Sequence, residues 1–146
     1  MDVTGACHCG LVTFSAIVDE DRVLVCHCTD CQIIASSAFR VGALVRRETF
    51  SLQGPVKEYE KTGTSGTRRL QVFCPECATG IYSHAPEVDS PFISLRLGGV
   101  HQRAQLTPIH QIWQQSALPW LRQLNDIPCS LQQEALAAVI QKPANN

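Results

Sequence analysis

Between Leu11 and Val18 the chain alternates, with Val12, Phe14, Ala16 and Val18 on one side and Leu11, Thr13, Ser15 and Ile17 on the other. A period of two with one side more apolar predicts a half-buried strand. Val3 to Cys9 reads as a short strand before it. Val23-Leu24-Val25 reads as a buried strand after the acidic turn Asp19-Glu20-Asp21. Phe39 to Leu44, Thr49 to Leu52, Val56 to Glu60 and Arg68 to Phe73 continue the β pattern, punctuated by Gly42, Gly54-Pro55 and Gly63. Ile81-Tyr82 and Phe92 to Leu95 extend it, and Lys61 to Thr67 forms a small polar loop. Two helical stretches interrupt the strands. Gln32 to Ser37 suits a turn or two of helix capped by Thr29 or Asp30. Near the end, Leu131, Ala135, Leu136, Val139 and Ile140 recur at helical spacing behind the capping box Ser130-Leu131-Gln132-Gln133. Pro108 to Trp120 holds both tryptophans and is expected to pack across the β core. The expected fold class is mainly β with a short C-terminal helix, as a single domain over residues 1–142 with a frayed tail at 143–146.

Composition narrows the chemistry. With 146 residues and 45% hydrophobic content, the chain can bury a core of its own without relying on metal for all its stability. Charged residues are only 17% and the formal net charge is -1, which removes a general electrostatic case for nucleic acid. No apolar run approaches the ~20 residues that cross a bilayer, so no membrane partner is expected. Met1-Asp2-Val3-Thr4-Gly5 has neither the basic region nor the apolar run of a signal peptide, which predicts a reducing cytoplasmic location. In that setting the eight cysteines read as metal ligands rather than disulfides.

Their spacing says how. Cys26-His27-Cys28-Thr29-Asp30-Cys31 packs three thiols into six residues, flanked in sequence by the pairs Cys7/Cys9 and Cys74/Cys77. Sulfurs around a tetrahedral zinc lie ~3.8 Å apart. A tight C-x-x-C turn meets that spacing, and extended C-x-C sends both thiols to one face while the middle residue points away. His8 and His27 are those middle residues and are expected to face away from the metal. Counting then gives a closed four-thiol site from Cys7, Cys9, Cys74 and Cys77, and a three-thiol site from Cys26, Cys28 and Cys31 with one position open. A closed site is structural, whereas an open one can do chemistry. The alternative is that Cys129, His84, His101 or His110 fills the open position from a distance, although a lone cysteine such as Cys129 is more often an ordinary thiol.

Gly5-Ala6-Cys7-His8-Cys9-Gly10, Cys26 to Cys31, Phe73-Cys74-Pro75-Glu76-Cys77 and the late Ile112-Trp113 and Pro119-Trp120 resemble the glutathione-dependent formaldehyde-activating enzyme and centromere protein V family, from about Gly5 to Trp120. The resemblance implies an Mss4-like fold of several small coiled antiparallel sheets and two zinc ions divided as counted above. It also implies a carbon–sulfur lyase-like activity on thiol–aldehyde adducts such as S-(hydroxymethyl)glutathione, with glutathione as the partner thiol and Cys26, Cys28 and Cys31 at the active position. Thr64 to Arg69 is similar to the family's small-residue loop, which makes Ser65, Gly66 and Arg69 the implied substrate contacts. Arg68, Arg69 or Arg96 could hold carboxylates of a glutathione-like substrate. Two departures stand near the expected pocket: Ala78 where the family usually has glycine, and Gly98-Gly99-Val100-His101-Gln102 where acidic residues usually follow the glycine. The other reading is a zinc-stabilised binding module, or a carrier of the adduct, without catalysis.

Overall fold

A computed structural model of the chain describes residues 1–63, 65–87 and 89–133. The predicted C-terminal helix rests on residues 134–140 and lies outside them. Ten strands form two sheets. Strands β1 (Asp2–Ala6), β2 (Thr13–Ile17) and β5 (Ser51–Gln53) make a three-stranded antiparallel sheet in the order β1-β2-β5. The larger sheet adds β3 (Val23–Cys26), β4 (Arg40–Arg46), β6 (Lys57–Thr62), β7 (Arg68–Phe73), β8 (Gly80–His84), β9 (Phe92–Arg96) and β10 (His110–Ile112). Its order is β10-β3-β4-β9-β8-β7-β6, antiparallel except for the parallel pairing of β10 with β3. The protein is therefore mainly β, as its sequence predicts.

The alternation on β2 sorts the chain as expected: Val12, Phe14, Ala16 and Val18 are all buried while Leu11 and Ile17 are exposed. They meet Ala43, Val45, Ile93 and Leu95 of the large sheet in one apolar core. Each such fully buried aliphatic side chain contributes roughly 1.5–3 kcal/mol. The small sheet is held to the segment that follows β9 where Gly5 bridges to Val100. A Cβ on Gly5 would sit 2.5 Å from the Gly99 carbonyl oxygen and against the Phe14 ring, so only glycine allows that approach. This contact fixes β1, and hence Cys7 just beyond it, against the turn that leaves β9.

Two expectations change. The short helix, α1, spans Thr29–Ala35 and therefore begins at the cysteine triplet rather than after it. Its cap is neither Thr29 nor Asp30 but the Cys28 sulfur, which accepts from the Cys31 amide at 3.4 Å. The tryptophans do not cross the core: Trp113 and Trp120 are each 45% exposed. They follow the short edge strand β10, beyond the last apolar layer between the sheets, and Trp113 turns the chain in the left-handed region at φ 61. No helix among the described residues is long and apolar enough to cross a membrane.

Candidate metal and thiol site

Each cysteine group is set by the local backbone. At the first pair, Gly10 at φ 80 lets the chain turn back, and its amide bonds the Cys7 carbonyl at 3.1 Å. The Val12 amide then donates to the Cys7 sulfur at 3.2 Å. The second knuckle closes through the Ala78 amide on the Cys74 carbonyl and the Cys74 amide on the Thr79 carbonyl, both 3.0 Å. Thr79 joins the knuckles, because its hydroxyl lies 3.1 Å from the Cys77 sulfur and accepts from the His8 amide at 3.1 Å. The four sulfurs of Cys7, Cys9, Cys74 and Cys77 all lie within 4.8 Å of one another, with Cys7–Cys9 at 3.5 Å and Cys9–Cys74 at 3.8 Å. Those separations suit a tetrahedral ion with sulfur bonds of ~2.3 Å.

The second group is Cys26, at the end of β3, with Cys28 and Cys31 at the start of α1. Its three sulfurs also lie within 4.8 Å of one another, Cys26–Cys28 at 3.5 Å. Both groups can hold a metal ion. A hydrogen bond between Cys26 and Cys31 draws the Cys26 thiol below its ordinary range and pushes Cys31 above it. None of Cys129, His84, His101 or His110 joins the group among the described residues. Cys129 is exposed, His84 contacts Glu58 and the Ala85 carbonyl, and His101 contacts Thr4. His110 lies exposed on β10.

The triplet is braced from behind by the late segment. Ile112 stands opposite Cys26 in the parallel ladder, and the His27 amide donates to the Ile112 carbonyl at 3.1 Å. The Gln32 amide nitrogen donates to the carbonyls of His27 and Ser116 at 2.6 and 2.8 Å. His27 is buried, edge-on to Phe39 at 5.7 Å, with Nε2 2.8 Å from the Gln111 side-chain oxygen. The same oxygen accepts from Gln114 at 2.7 Å. His8, by contrast, is exposed beside the four-thiol group.

On the other side of the triplet lie two arginines. Arg40 pairs with Cys26 across β3 and β4, and Gly42, two residues on, pairs with Arg96 of β9. Arg40 donates to the Gln71 side-chain oxygen at 3.1 Å, and Arg96 donates to the same oxygen at 2.9 Å and to the Ser94 hydroxyl at 3.0 Å. Arg40 and Gln71 are buried. Burial, then the like charge of Arg40, bring Arg96 down to about 9, against the opposing pull of Cys31 and Cys26. Among the described residues neither arginine meets a carboxylate. Beside them opens a cavity of about 830 Å³, reaching from the end of α1 to Ala78 and Thr79 of the second knuckle. Ala78 and the Gly98-Gly99 segment, the two departures noted in the sequence, both line it.

The implied substrate contacts Ser65, Gly66 and Arg69 are not in the lining of that cavity. Ser65 and Gly66 form the exposed turn between β6 and β7, where the Ser65 hydroxyl bonds Thr67 at 3.1 Å. Arg69 is partly buried on β7, where burial lowers its pKa against the pull of Glu87. Arg68 is engaged by Glu60, through Nη2 at 2.9 Å and through Nε. That hairpin is tied to the site by the ion pair of Lys61 with Asp30 of α1. Sequence reasoning weighed Arg96 but missed Arg40 and Gln71. The available signal was a polar residue inside an apolar β run, Phe39-Arg40-Val41 and Leu70-Gln71-Val72, which is rarely buried without a task.

Comparisons with known proteins agree with this geometry. The family model described as glutathione-dependent formaldehyde-activating enzyme matches residues 2–116. A Schizosaccharomyces pombe protein named an uncharacterized lyase is 30% identical over 78 residues, 53% of this chain and 54% of that protein. The chain thus spans about half the length of this curated relative. A Rhodobacter sphaeroides protein of known crystal structure superposes with a TM-score of 0.53 at 18% identity, over 74% of this chain and 98% of that one, and so shares the fold. Seven thiols gathered into two metal-ready groups, inside a match that runs through all ten described strands, make the chain a member of the glutathione-dependent formaldehyde-activating enzyme family.

Proposed function

We propose that the protein makes and breaks the carbon–sulfur bond of thiol–aldehyde adducts, of which S-(hydroxymethyl)glutathione is the type, at the group Cys26, Cys28 and Cys31. The observation that carries this reading is one corner of the fold: three clustered thiols beside one buried and one partly buried guanidinium, neither with a carboxylate partner among the described residues. Zinc is the ion these donors suit. Cys7, Cys9, Cys74 and Cys77 would close a structural site, and Cys26, Cys28 and Cys31 would leave one position to an external thiol. Zinc bound there supplies a depressed thiol pKa, so that a thiolate persists at neutral pH.

The chain's own residues do the rest. Three cysteine thiolates around a divalent ion leave one negative charge, and an external thiolate makes two. Arg40 and Arg96, both held by Gln71, offset that charge in a partly enclosed setting where it is weakly screened. The cavity beside the two arginines offers room for the body of the substrate. In the forward direction the sulfur adds to the aldehyde carbon, and the carbonyl electron pair moves to oxygen, which takes up a proton. The reverse direction expels the thiolate and restores the aldehyde. Ser65, Gly66 and Arg69 stand outside the cavity lining and would meet only a substrate that projects from it. The family description and the lyase name of the relative support the same class of chemistry.

The test combines metal analysis with exchange spectroscopy. Purified protein should hold two zinc ions per chain, and Cys28→Ser should lose one while keeping the fold. Wild type should accelerate magnetisation exchange between a thiol, either glutathione or 2-phenylethanethiol, and its formaldehyde adduct, and Cys28→Ser should not. Full zinc loading with exchange no faster than in buffer for both thiols would leave a binding module in place of an enzyme.

A further inference from the structure

The thiol reading names glutathione by family, but the cavity has a different character. Resting on that reading, we infer that the thiol accepted at Cys26, Cys28 and Cys31 carries an apolar, uncharged body rather than a hydrophilic peptide.

Two independent features lead there. The first is the wall. Ile34, Phe39, Val41, Tyr59, Phe73 and Tyr82 are the large apolar and aromatic side chains around the 830 Å³ space, and none of the lining residues is acidic or a lysine. A large apolar cavity with few polar groups gains affinity from the apolar surface it removes from water. The second is charge. The only cations in the lining are Arg40 and Arg96. Both already share the Gln71 oxygen, Arg40 stands opposite Cys26 in the β3–β4 ladder, and Arg96 lies on the next strand opposite Gly42. Their two positive charges match the two negative charges of a loaded three-thiol site with its external thiolate, so none remains for a substrate carboxylate. Arg69 is not in the lining and answers to Glu87. Glutathione would bring two carboxylates and an ammonium into this space without partners, which is costly. An aryl or alkyl thiol brings none.

Isothermal calorimetry on the zinc-loaded full chain, under a non-thiol reductant, tests this with three probes: 2-phenylethanethiol, 2-phenylethanol and glutathione. The aryl thiol should bind about tenfold or more tighter than glutathione, as expected for burial of one ring, and tighter than the alcohol. Cys28→Ser should bring the thiol down to the affinity of the alcohol. Ile34→Asn, at the exposed rim of the cavity, should weaken both aryl probes several-fold and leave glutathione unchanged. Glutathione binding as tightly as the aryl thiol would overturn the inference while the thiol site stood. Equal binding of the two aryl probes, unmoved by Cys28→Ser, would instead bring down the thiol reading and the inference with it. Aryl binding indifferent to Ile34→Asn would remove the cavity from the argument.

Discussion

Gln71→Leu tests whether one buried amide organises the cationic side of the site. The Gln71 oxygen takes a hydrogen bond from Arg40 at 3.1 Å and another from Arg96 at 2.9 Å, and Gln71 is buried. Hydrogen bonds to charged groups are worth about 1.5–3 kcal/mol each. Losing both would cost about 3–6 kcal/mol, of which the extra apolar burial of leucine returns about 1 kcal/mol. The net expectation is a destabilisation of about 2–5 kcal/mol. Urea unfolding of zinc-loaded protein at fixed free zinc measures it. A cycle with Arg96→Met separates the bond from the change in shape. Once Arg96 is gone, Gln71→Leu should cost 1 kcal/mol or more less, within the range of ~0.5–3 kcal/mol for residues in one network. A coupling below ~0.3 kcal/mol, the level of unrelated sites, would refute the claim that Gln71 holds the two arginines.

Three further outcomes are expected. Gly5→Ala forces a Cβ to 2.5 Å from the Gly99 carbonyl oxygen and into Phe14, and should destabilise by about 1–3 kcal/mol in the same urea assay. Ala78→Gly should do the reverse: Ala78 sits at φ 57, where a side chain costs about 1–2 kcal/mol, so after glycine's entropy penalty the variant should gain ~0.5 kcal/mol in thermal unfolding. Cys74→Ser, at a sulfur with no solvent exposure that joins two distant segments, should lower the melting temperature more than Cys28→Ser, and chelation should then shift it little further. Equal melting temperatures for the two variants would argue against a structural role for the four-thiol group.

Much of this protein was legible without coordinates, because the determining physics is local. The alternation of Val12, Phe14, Ala16 and Val18 fixes which side of β2 meets the core whatever the partner is. Likewise C-x-C and C-x-x-C spacing gathers thiols through the backbone of a few residues, and both cysteine groups assemble as their spacing predicts. Distance along the chain is where sequence reading ended. Trp113 and Trp120 look like core residues by type, but they follow an edge strand and stay half exposed, since burial depends on what lies across from a side chain. Arg40, Gln71 and Arg96 come from three strands, β4, β7 and β9, and meet only because the sheet order and register bring them together. Sequence alone settled the strands and the closeness of the thiols within each cysteine knuckle, since both are short-range. The charge and shape of the space beside the sulfurs were decided by tertiary packing, because only the folded sheet determines which distant residues become neighbours.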